Sequence, residues 1–246
     1  MTSKHSQFSR RKVLGAIAGG AAFGMSGLVR GQASRRELPV PPQAISANSL
    51  ARDENFWQEV AGYYDRTAGI VNLEHGYWGK MAHPVQNAFI EATKMVNAQN
   101  SFYARKSYAD DASLSVHRVA QTLGVHDDEI VITRNATEAI HNLIRQYEGL
   151  TPNDTVLYAD LDYPSFKDTM RWLKQAYGAG SVEVKIPGRA TQSEILQRYV
   201  EAFDANPNLK LMLITHVSNQ HGLVVPVAEI ASEAKSRGID VICDSA

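Results

Sequence analysis

Short apolar runs alternate with amphipathic segments along the second half of the chain. The runs are rich in Val, Ile and Leu, as expected of buried strands, and between them apolar residues recur every three or four positions. The runs cover residues 129–133, 155–159, 182–186, 209–215 and 239–243, and the amphipathic segments cover 136–147, 165–177, 193–205 and 227–237. This alternation predicts an α/β fold with a mainly parallel sheet and helices on both of its faces.

The pattern before residue 129 is less regular. An apolar run at 70–73 predicts a strand that leads into the turn-like segment 74–79. Amphipathic stretches predict helices at 53–64, 84–99 and 110–123. Pro84 suits the first turn of its helix, and Gly124 suits the left-handed position that follows a helix.

The N-terminal segment has the features of an export signal. Ser9-Arg10-Arg11-Lys12 precedes a Gly- and Ala-rich apolar run at 13–29, and small residues follow at 31–33. This order is typical of a signal peptide, and the paired arginines resemble the twin-arginine type. We therefore expect a signal peptide at 1–33, an extended linker at 34–49 and export to the periplasm through the twin-arginine machinery. A transmembrane anchor is the alternative, although the run is short, contains several glycines and is closed by Arg30.

Composition excludes several classes of function. The formal net charge of -1 gives no sign of a nucleic-acid partner. Cys243 is the only cysteine, so neither an intrachain disulfide nor a multi-cysteine metal site is possible. His216 and His221 are a weak metal signal without a nearby acidic ligand, and we expect no metal site and no stable membrane anchor.

Candidate binding residues follow the strands directly. After the strand predicted at 129–133, Asn135 and Glu138 have the spacing of a capping box. The small Ala136 and the hydroxyl of Thr137 would suit a phosphate at the N-terminus of this helix. The alternative is simply a well-capped helix. Tyr163, after the second strand, could stack on a planar ring or lie half-buried in a turn.

Two further candidates follow later strands. Asn219 lies in a cluster of short polar residues and could hydrogen-bond a phenolic oxygen. Asp244 follows a buried strand, where a carboxylate is costly unless a cation or a donor faces it. A protonated pyridine nitrogen is such a partner, and capping of a following helix is the alternative. Cys243 is expected to face the core.

The ordered set of these residues resembles the class V aminotransferases over residues 70–246. These are pyridoxal-phosphate (PLP) enzymes of fold type I, and the family includes cysteine desulfurases and isopenicillin N epimerase-like proteins. The segments 72–79 and 135–140 look closest to the epimerase-like branch. The resemblance implies a PLP-binding large domain at 50–246, a homodimer, and an amino acid as substrate. The reaction stays open between transamination, epimerisation and C–S or β-elimination.

The resemblance also implies residue roles. Ala136 and Thr137 would hold the cofactor phosphate, Tyr163 would stack on the ring, Asn219 would contact its phenolic oxygen and Asp244 would pair with its nitrogen. His75, Gly76 and Tyr77 would lie on the substrate side. The Schiff-base lysine and the small C-terminal domain of the family would lie beyond Ala246, so we expect a fragment with no catalytic lysine of its own.

Two other classes of function compete with this interpretation. A nucleotide-binding oxidoreductase needs a glycine-rich turn after its first strand, and residues 133–138 contain no glycine. An exported protein that keeps the PLP-transferase fold without catalysis would match every residue named above, and only the identity of the residue at the lysine position would distinguish it.

Overall fold

The computed structural model describes residues 45–246. The predicted signal peptide at 1–33 and most of the predicted linker at 34–49 lie outside these residues. The chain divides into two compact units, the first ending at Met95 and the second covering Val96–Ala246.

The first unit contains two short helices and the start of a third. These are α1 (Ala47–Leu50), α2 (Glu54–Ala61) and α3 (His83–Gln99), the last of which continues into the second unit. The Asp53 side chain caps α2 by accepting the amide of Phe56, and the Trp57 indole donates to the Leu50 carbonyl at 2.9 Å. The helices predicted at 53–64 and 84–99 are confirmed, whereas the last residues of the predicted linker are helical rather than extended.

The strand predicted at 70–73 is wrong. The segment that contains it is irregular, and Ile70, Val71 and Leu73 are 67%, 84% and 92% exposed. A strand is stabilised by backbone hydrogen bonds to a neighbour, and none of the strands in the described residues pairs with this segment. The apolar character of the run therefore does not report a strand.

The second unit begins with helices that precede the sheet. They are α4 (Ser101–Lys106), which the sequence pattern did not predict, and α5 (Tyr108–Leu123). Gly124 ends α5 with a φ of 70°, as predicted. The strand predicted at 129–133 is wrong, because a 3₁₀ turn occupies Asp127–Glu129 and Val131 is 84% exposed. No strand among the described residues pairs with this run either.

The remaining elements form the predicted parallel α/β sheet. The strands are β1 (Thr155–Ala159), β2 (Gly180–Val184), β3 (Leu209–Thr215) and β4 (Asp240–Asp244). Their order across the sheet is β2-β1-β3-β4, and every pairing is parallel. The helices are α6 (Ala136–Arg145), α7 (Pro164–Tyr177), α8 (Gln192–Ala205) and α9 (Val227–Ser236).

Each face of the sheet has its own apolar core. One core joins α6 and α7 to the sheet through residues that include Ile144, Met170 and Leu173. The other joins α8 and α9 through residues that include Ile195, Tyr199 and Ile230. Residues 211–214 of β3 alternate between the two cores, as expected for a strand buried on both faces. Within the part of the chain that the structure describes, no helix has the length and hydropathy needed to cross a membrane.

Candidate functional site

The strand order creates a crevice between β1 and β3. From β1 the chain passes through α7 to β2 on one side, and from β2 it returns through α8 to β3 on the other side of β1. The loops that leave β1 and β3 therefore diverge in opposite directions at the carboxyl edge of the sheet. In open α/β sheets this switch point is where ligands bind.

The loop after β1 is a tight turn that presents Tyr163. The amide of Asp162 donates to the Ala159 carbonyl at 3.2 Å, and the Asp162 carboxylate accepts the Ala159 amide at 2.7 Å. Tyr163 then precedes Pro164 at the first turn of α7. The half-buried Tyr163 ring packs on Phe166 with the ring centres 5.1 Å apart, so one edge of the crevice carries a fixed aromatic face.

The loop after β3 forms the opposite wall. The amide of Gly222 donates to the Ser218 carbonyl at 2.8 Å, and the φ of 62° at Gly222 turns the chain back toward β3. The buried Ser218 hydroxyl donates across the crevice to the Leu161 carbonyl at 3.3 Å. Asn219, the next residue, is exposed.

Asp244 lies at the end of β4, next to the end of β3. The Thr215 hydroxyl is 3.4 Å from Oδ2 of Asp244, and the backbone carbonyl of Asp244 accepts the amide of His216 at 2.8 Å. The carboxyl group is half-buried. The expectation that Cys243 faces the core is wrong: Cys243 is exposed, because Ile242 takes the buried position and neighbouring side chains point to opposite faces.

Packing brings the N-terminus of α6 to this edge of the sheet. Near the C-terminal end of the helix, the Tyr147 hydroxyl donates to Asp240 at the start of β4. Ile140 and Ile144 of α6 pack in the same core as Ile242 of β4. The helix therefore runs antiparallel to β4, so that its first residues, Ala136 and Thr137, lie toward the carboxyl edge.

The cap of α6 is only partly the predicted capping box. The Asn135 side chain accepts the Glu138 amide at 2.8 Å, as the spacing predicts. The Glu138 carboxylate, however, accepts the amide of Arg134 rather than that of Asn135, and it also pairs with the Arg134 guanidinium. Hydrogen bonds from Arg134 hold the pKa of Glu138 below its ordinary value, which keeps this carboxylate ionised beside the helix N-terminus.

Asp162 and His141 were not predicted as residues of the site. Asp162 is 1% exposed, and burial raises the pKa of its carboxyl group to about 7. The His141 ring packs edge-on against Phe166, whose ring also contacts Tyr163. Composition marks Asp162 only as one of two acids after a strand, and its burial depends on packing between distant segments.

Three buried polar atoms near this edge lack a hydrogen-bond partner among the described residues. They are Asp162 Oδ1, Ser165 Oγ and His141 Nε2. All three belong to residues that flank or support Tyr163. Buried polar groups are nearly always paired, so these atoms fit a polar ligand at the aromatic face of Tyr163.

A cavity of about 330 Å³ adjoins the crevice. Leu161 lines it from the β1 loop, Arg189 from the loop before α8, and His221 from the loop after β3. His216 and His221 are both exposed, and in the described range no group of three His, Cys, Asp or Glu side chains gathers in a way that could hold a metal ion.

The structure therefore places Ala136, Thr137, Tyr163, Asn219 and Asp244 on loops and element ends at one edge of the sheet. It does not add His75, Gly76 and Tyr77 to them. These three belong to the first unit, in an exposed segment where His75 Nδ1 accepts the amide of Lys80 at 3.4 Å. Their contact with a substrate stays a prediction.

Comparison with known proteins gives the family and the fold of the chain. The family model for aminotransferase class V matches residues 85–246. A probable cysteine desulfurase of Aeropyrum pernix is 32% identical over 151 residues, which cover 59% of this chain and 34% of that protein. The cysteine desulfurase of Haloferax volcanii is 28% identical over 224 residues, which cover 86% of this chain and 51% of that protein.

The isopenicillin N epimerase of Amycolatopsis lactamdurans is more distant. It is 21% identical over 197 residues, which cover 77% of this chain and 48% of that protein. The predicted similarity to the epimerase-like branch thus has weaker support than the similarity to the cysteine desulfurases. The chain spans about half the length, or less, of these curated relatives.

Solved structures show the same fold. The cystine C–S lyase C-DES, in complex with its reaction product cysteine persulfide, superposes with a TM-score of 0.63 at 16% identity, over 72% of this chain and 48% of that one. The apo cysteine desulfurase of Thermococcus onnurineus superposes with a TM-score of 0.59 at 18% identity, over 77% and 47%. The fold is thus that of the fold type I PLP enzymes.

Proposed function

Because this chain belongs to the class V aminotransferase family, whose cofactor is pyridoxal phosphate, we propose that the full-length protein is a PLP-dependent enzyme that cleaves the carbon–sulfur bond of a cysteine-type amino acid. The observation that supports the proposal is that all five candidate cofactor residues lie at one edge of the sheet: Ala136, Thr137, Tyr163, Asn219 and Asp244. The greater identity to the desulfurases favours C–S cleavage over epimerisation or transamination.

The residues of this edge fit the parts of PLP. The free amides at the N-terminus of α6 suit the phosphate, and the exposed Thr137 hydroxyl adds a donor. The Tyr163 ring, held by Phe166, offers a flat face for the pyridine ring. Asn219 can donate its side-chain amide to the phenolic oxygen.

Asp244 would hold the proton on the pyridine nitrogen. Its carboxylate is oriented by the Thr215 hydroxyl and by the Ala246 amide at 3.2 Å. When bound, PLP supplies an electron sink for the carbanion of the substrate, and a protonated ring nitrogen strengthens that sink. Lys210 lies near the start of β3 and Lys235 in the last turn of α9, so we assign neither as the lysine that carries the cofactor.

A spectroscopic and chemical experiment tests the proposal. The full-length protein should show a visible absorbance band that borohydride abolishes. It should release sulfur from cysteine, and it should not turn over serine, which has no carbon–sulfur bond. The Asp244→Ala variant should lose most of the cofactor, whereas Asp240→Ala, at the other end of the same strand, should retain it. A wild-type protein that takes up no added PLP would contradict the cofactor assignment.

Loss of C–S cleavage with retained PLP would have a different meaning. Racemisation of an L-amino acid by the loaded protein would favour the epimerase reaction, and the absence of any turnover would favour an exported protein without catalysis. Each of these outcomes leaves the cofactor site intact.

We also propose that the protein is exported folded and works as a homodimer. The support for export is the pair Arg10-Arg11 ahead of the apolar run. Replacement of both arginines by lysine should retain the protein in the cytoplasm of its host, and unchanged export of that variant would refute the twin-arginine route. Light scattering of the purified protein measures the oligomeric state directly.

A further inference from the structure

The Asp162 carboxyl group joins two parts of the candidate site. Its Oδ2 accepts the amide of Ala159, the last residue of β1, at 2.7 Å, so the side chain folds back and closes the turn. The next residue, Tyr163, is the N-cap of α7 and carries the aromatic face. The direction of the Tyr163 ring therefore depends on a turn that the Asp162 side chain holds.

The Asp162 carboxyl group also has fewer hydrogen-bond donors around it than a buried ionised carboxylate needs. It is 1% exposed, and its Oδ1 has no hydrogen-bond partner among the described residues. An ionised carboxylate normally accepts several hydrogen bonds when it is buried, because desolvation is otherwise uncompensated. The surroundings thus favour the protonated carboxyl group.

We propose that Asp162 is a positioning residue of the cofactor site: its carboxyl group holds the turn that presents Tyr163, and its ionisation responds to the charge beside Asp244. Ser218, which reaches the same turn through the Leu161 carbonyl, fixes the turn from the β3 side and carries no charge. The inference rests on the proposed PLP site.

Charged and titratable groups from each neighbouring element face this carboxyl group. Burial is the largest effect and raises the pKa of Asp162 to about 7. The backbone amides of Ala159 and Thr215 lower this pKa. The Asp244 carboxylate of β4 raises it, and the Lys167 ammonium of α7 lowers it. From α8, the buried Tyr199 lies close enough that Asp162 and Asp160 contribute to raising the Tyr199 pKa, after the larger effect of burial.

Thr215 lies between the two carboxyl groups: its hydroxyl is 3.4 Å from Asp244 Oδ2, and its backbone amide faces the Asp162 carboxyl group. A cation bound at the Asp244 carboxylate offsets the negative charge that disfavours ionisation of Asp162. The pKa of Asp162 then falls, and near neutral pH part of its proton passes to bulk water. By linkage, a ligand that releases a proton on binding binds more tightly as pH rises through the titration of that group.

The test uses the full-length protein and deoxypyridoxine phosphate, an analogue that has the ring nitrogen and the phosphate but no aldehyde. Between pH 6 and pH 8 its affinity for the wild type should rise about two- to fivefold more than for Asp162→Asn, which is the part of a half to one pKa unit of coupling that falls within this pH range. Titrations of the analogue itself are common to both proteins and cancel in the ratio.

Matched variants separate the two roles of the residue. Asp160→Asn removes a neighbouring carboxylate whose Oδ1 accepts the Ile186 amide, and it should follow the wild-type pH dependence. Asp162→Ala removes the acceptor for the Ala159 amide and should lower the affinity at every pH. Equal pH dependence in wild type and Asp162→Asn would overturn the coupling, and wild-type affinity in Asp162→Ala would overturn the positioning role.

A measurement on the wild type alone covers the case in which a variant does not fold. Difference infrared spectroscopy suits this case, because the analogue has no carboxyl group of its own. Binding at pH 7 should decrease the C=O band of protonated carboxyl groups, and the decrease should disappear below pH 5. An unchanged or increased band at pH 7 would contradict the inference. Failure of the wild type to bind the analogue at all would instead refute the cofactor site.

Discussion

At the residue scale, Asp162 and Tyr163 are neighbours in one turn, but they act through different interactions. The Asp162 carboxyl group is buried and accepts the Ala159 amide, whereas the Tyr163 ring packs on Phe166. The two residues therefore allow separate tests.

Replacement of Asp162 by asparagine should change how stability depends on pH. In the unfolded chain the carboxyl group ionises near its ordinary pKa of 3.8, whereas in the folded protein it ionises at about 7. Between these values the unfolded state loses its proton first, so its relative free energy falls as pH rises. The wild-type free energy of unfolding should thus drop, on the order of 2–4 kcal/mol, relative to Asp162→Asn from pH 4 to pH 7.

Urea denaturation of both proteins at pH 4, 5.5 and 7.5 measures this difference. Only well above pH 7 should the two curves run parallel, because the carboxyl group is then ionised in both states. Parallel curves across the whole range would show that the folded protein does not disfavour the ionised group.

The Tyr163 ring should matter for its aromatic face rather than for its hydroxyl. Tyr163→Phe should bind PLP with nearly wild-type affinity, whereas Tyr163→Ala should lose about three- to tenfold, as expected for one stacked ring. Fluorescence titration of each apoprotein with PLP, without borohydride, measures the two affinities. Equal loss in the two variants would assign the role to the hydroxyl instead.

The sequence predicted Tyr163 and Asp244 as binding residues because each comes at the end of a buried strand, and parallel strands end at one edge of the sheet. Asp162 was not predicted, since its burial arises from β1, β3 and α8 packing around it. Residues that are adjacent in the sequence do not indicate burial that distant segments create.

At the element scale, helices were predicted better than strands. The amphipathic period and the caps placed α2, α3 and α5 through α9 close to their observed bounds. The apolar runs at 70–73 and 129–133 failed because a strand also needs a partner, and nothing in the run itself specifies one. The short α4 escaped notice because six residues are too few to show a period.

The caps of two helices allow a controlled test of the phosphate role of α6. Asn135 caps α6 and Thr191 caps α8, each by accepting the amide three residues on. Asn135→Ala and Thr191→Ala should each lower the free energy of unfolding by about 1 kcal/mol. Only Asn135→Ala should also weaken binding of inorganic phosphate and PLP, because α8 begins after the edge strand β2.

Thermal denaturation and phosphate titration of both variants decide the matter. Weakened phosphate binding in Thr191→Ala, or unchanged binding in Asn135→Ala, would place the phosphate elsewhere.

At the scale of the whole molecule, the class of fold followed from the alternation of strands and helices, but the order of the strands did not. The order β2-β1-β3-β4 makes β1 and β3 the inner strands and encloses them between two cores. Sequence order is consistent with several strand orders, and the choice depends on which core each helix joins.

Hydrogen exchange of the full-length protein should reflect this arrangement. Amides of β1 and β3 should exchange most slowly, those of the edge strand β2 faster, and those of 70–73 without measurable protection. Mass spectrometry of peptides that cover these segments measures the rates. Strong protection at 70–73 would show that another part of the assembly covers its exposed apolar side chains.

The inner position of β3 also has a consequence for synthesis on the ribosome. The chain makes β2 before β3, so β1 can pair with β2 while its other edge still has no neighbour. That edge stays open until residues 209–215 have emerged, a delay of seconds at ordinary rates of translation. During this interval the open edge of β1 can pair with another nascent chain, whereas in the finished sheet β3 covers it.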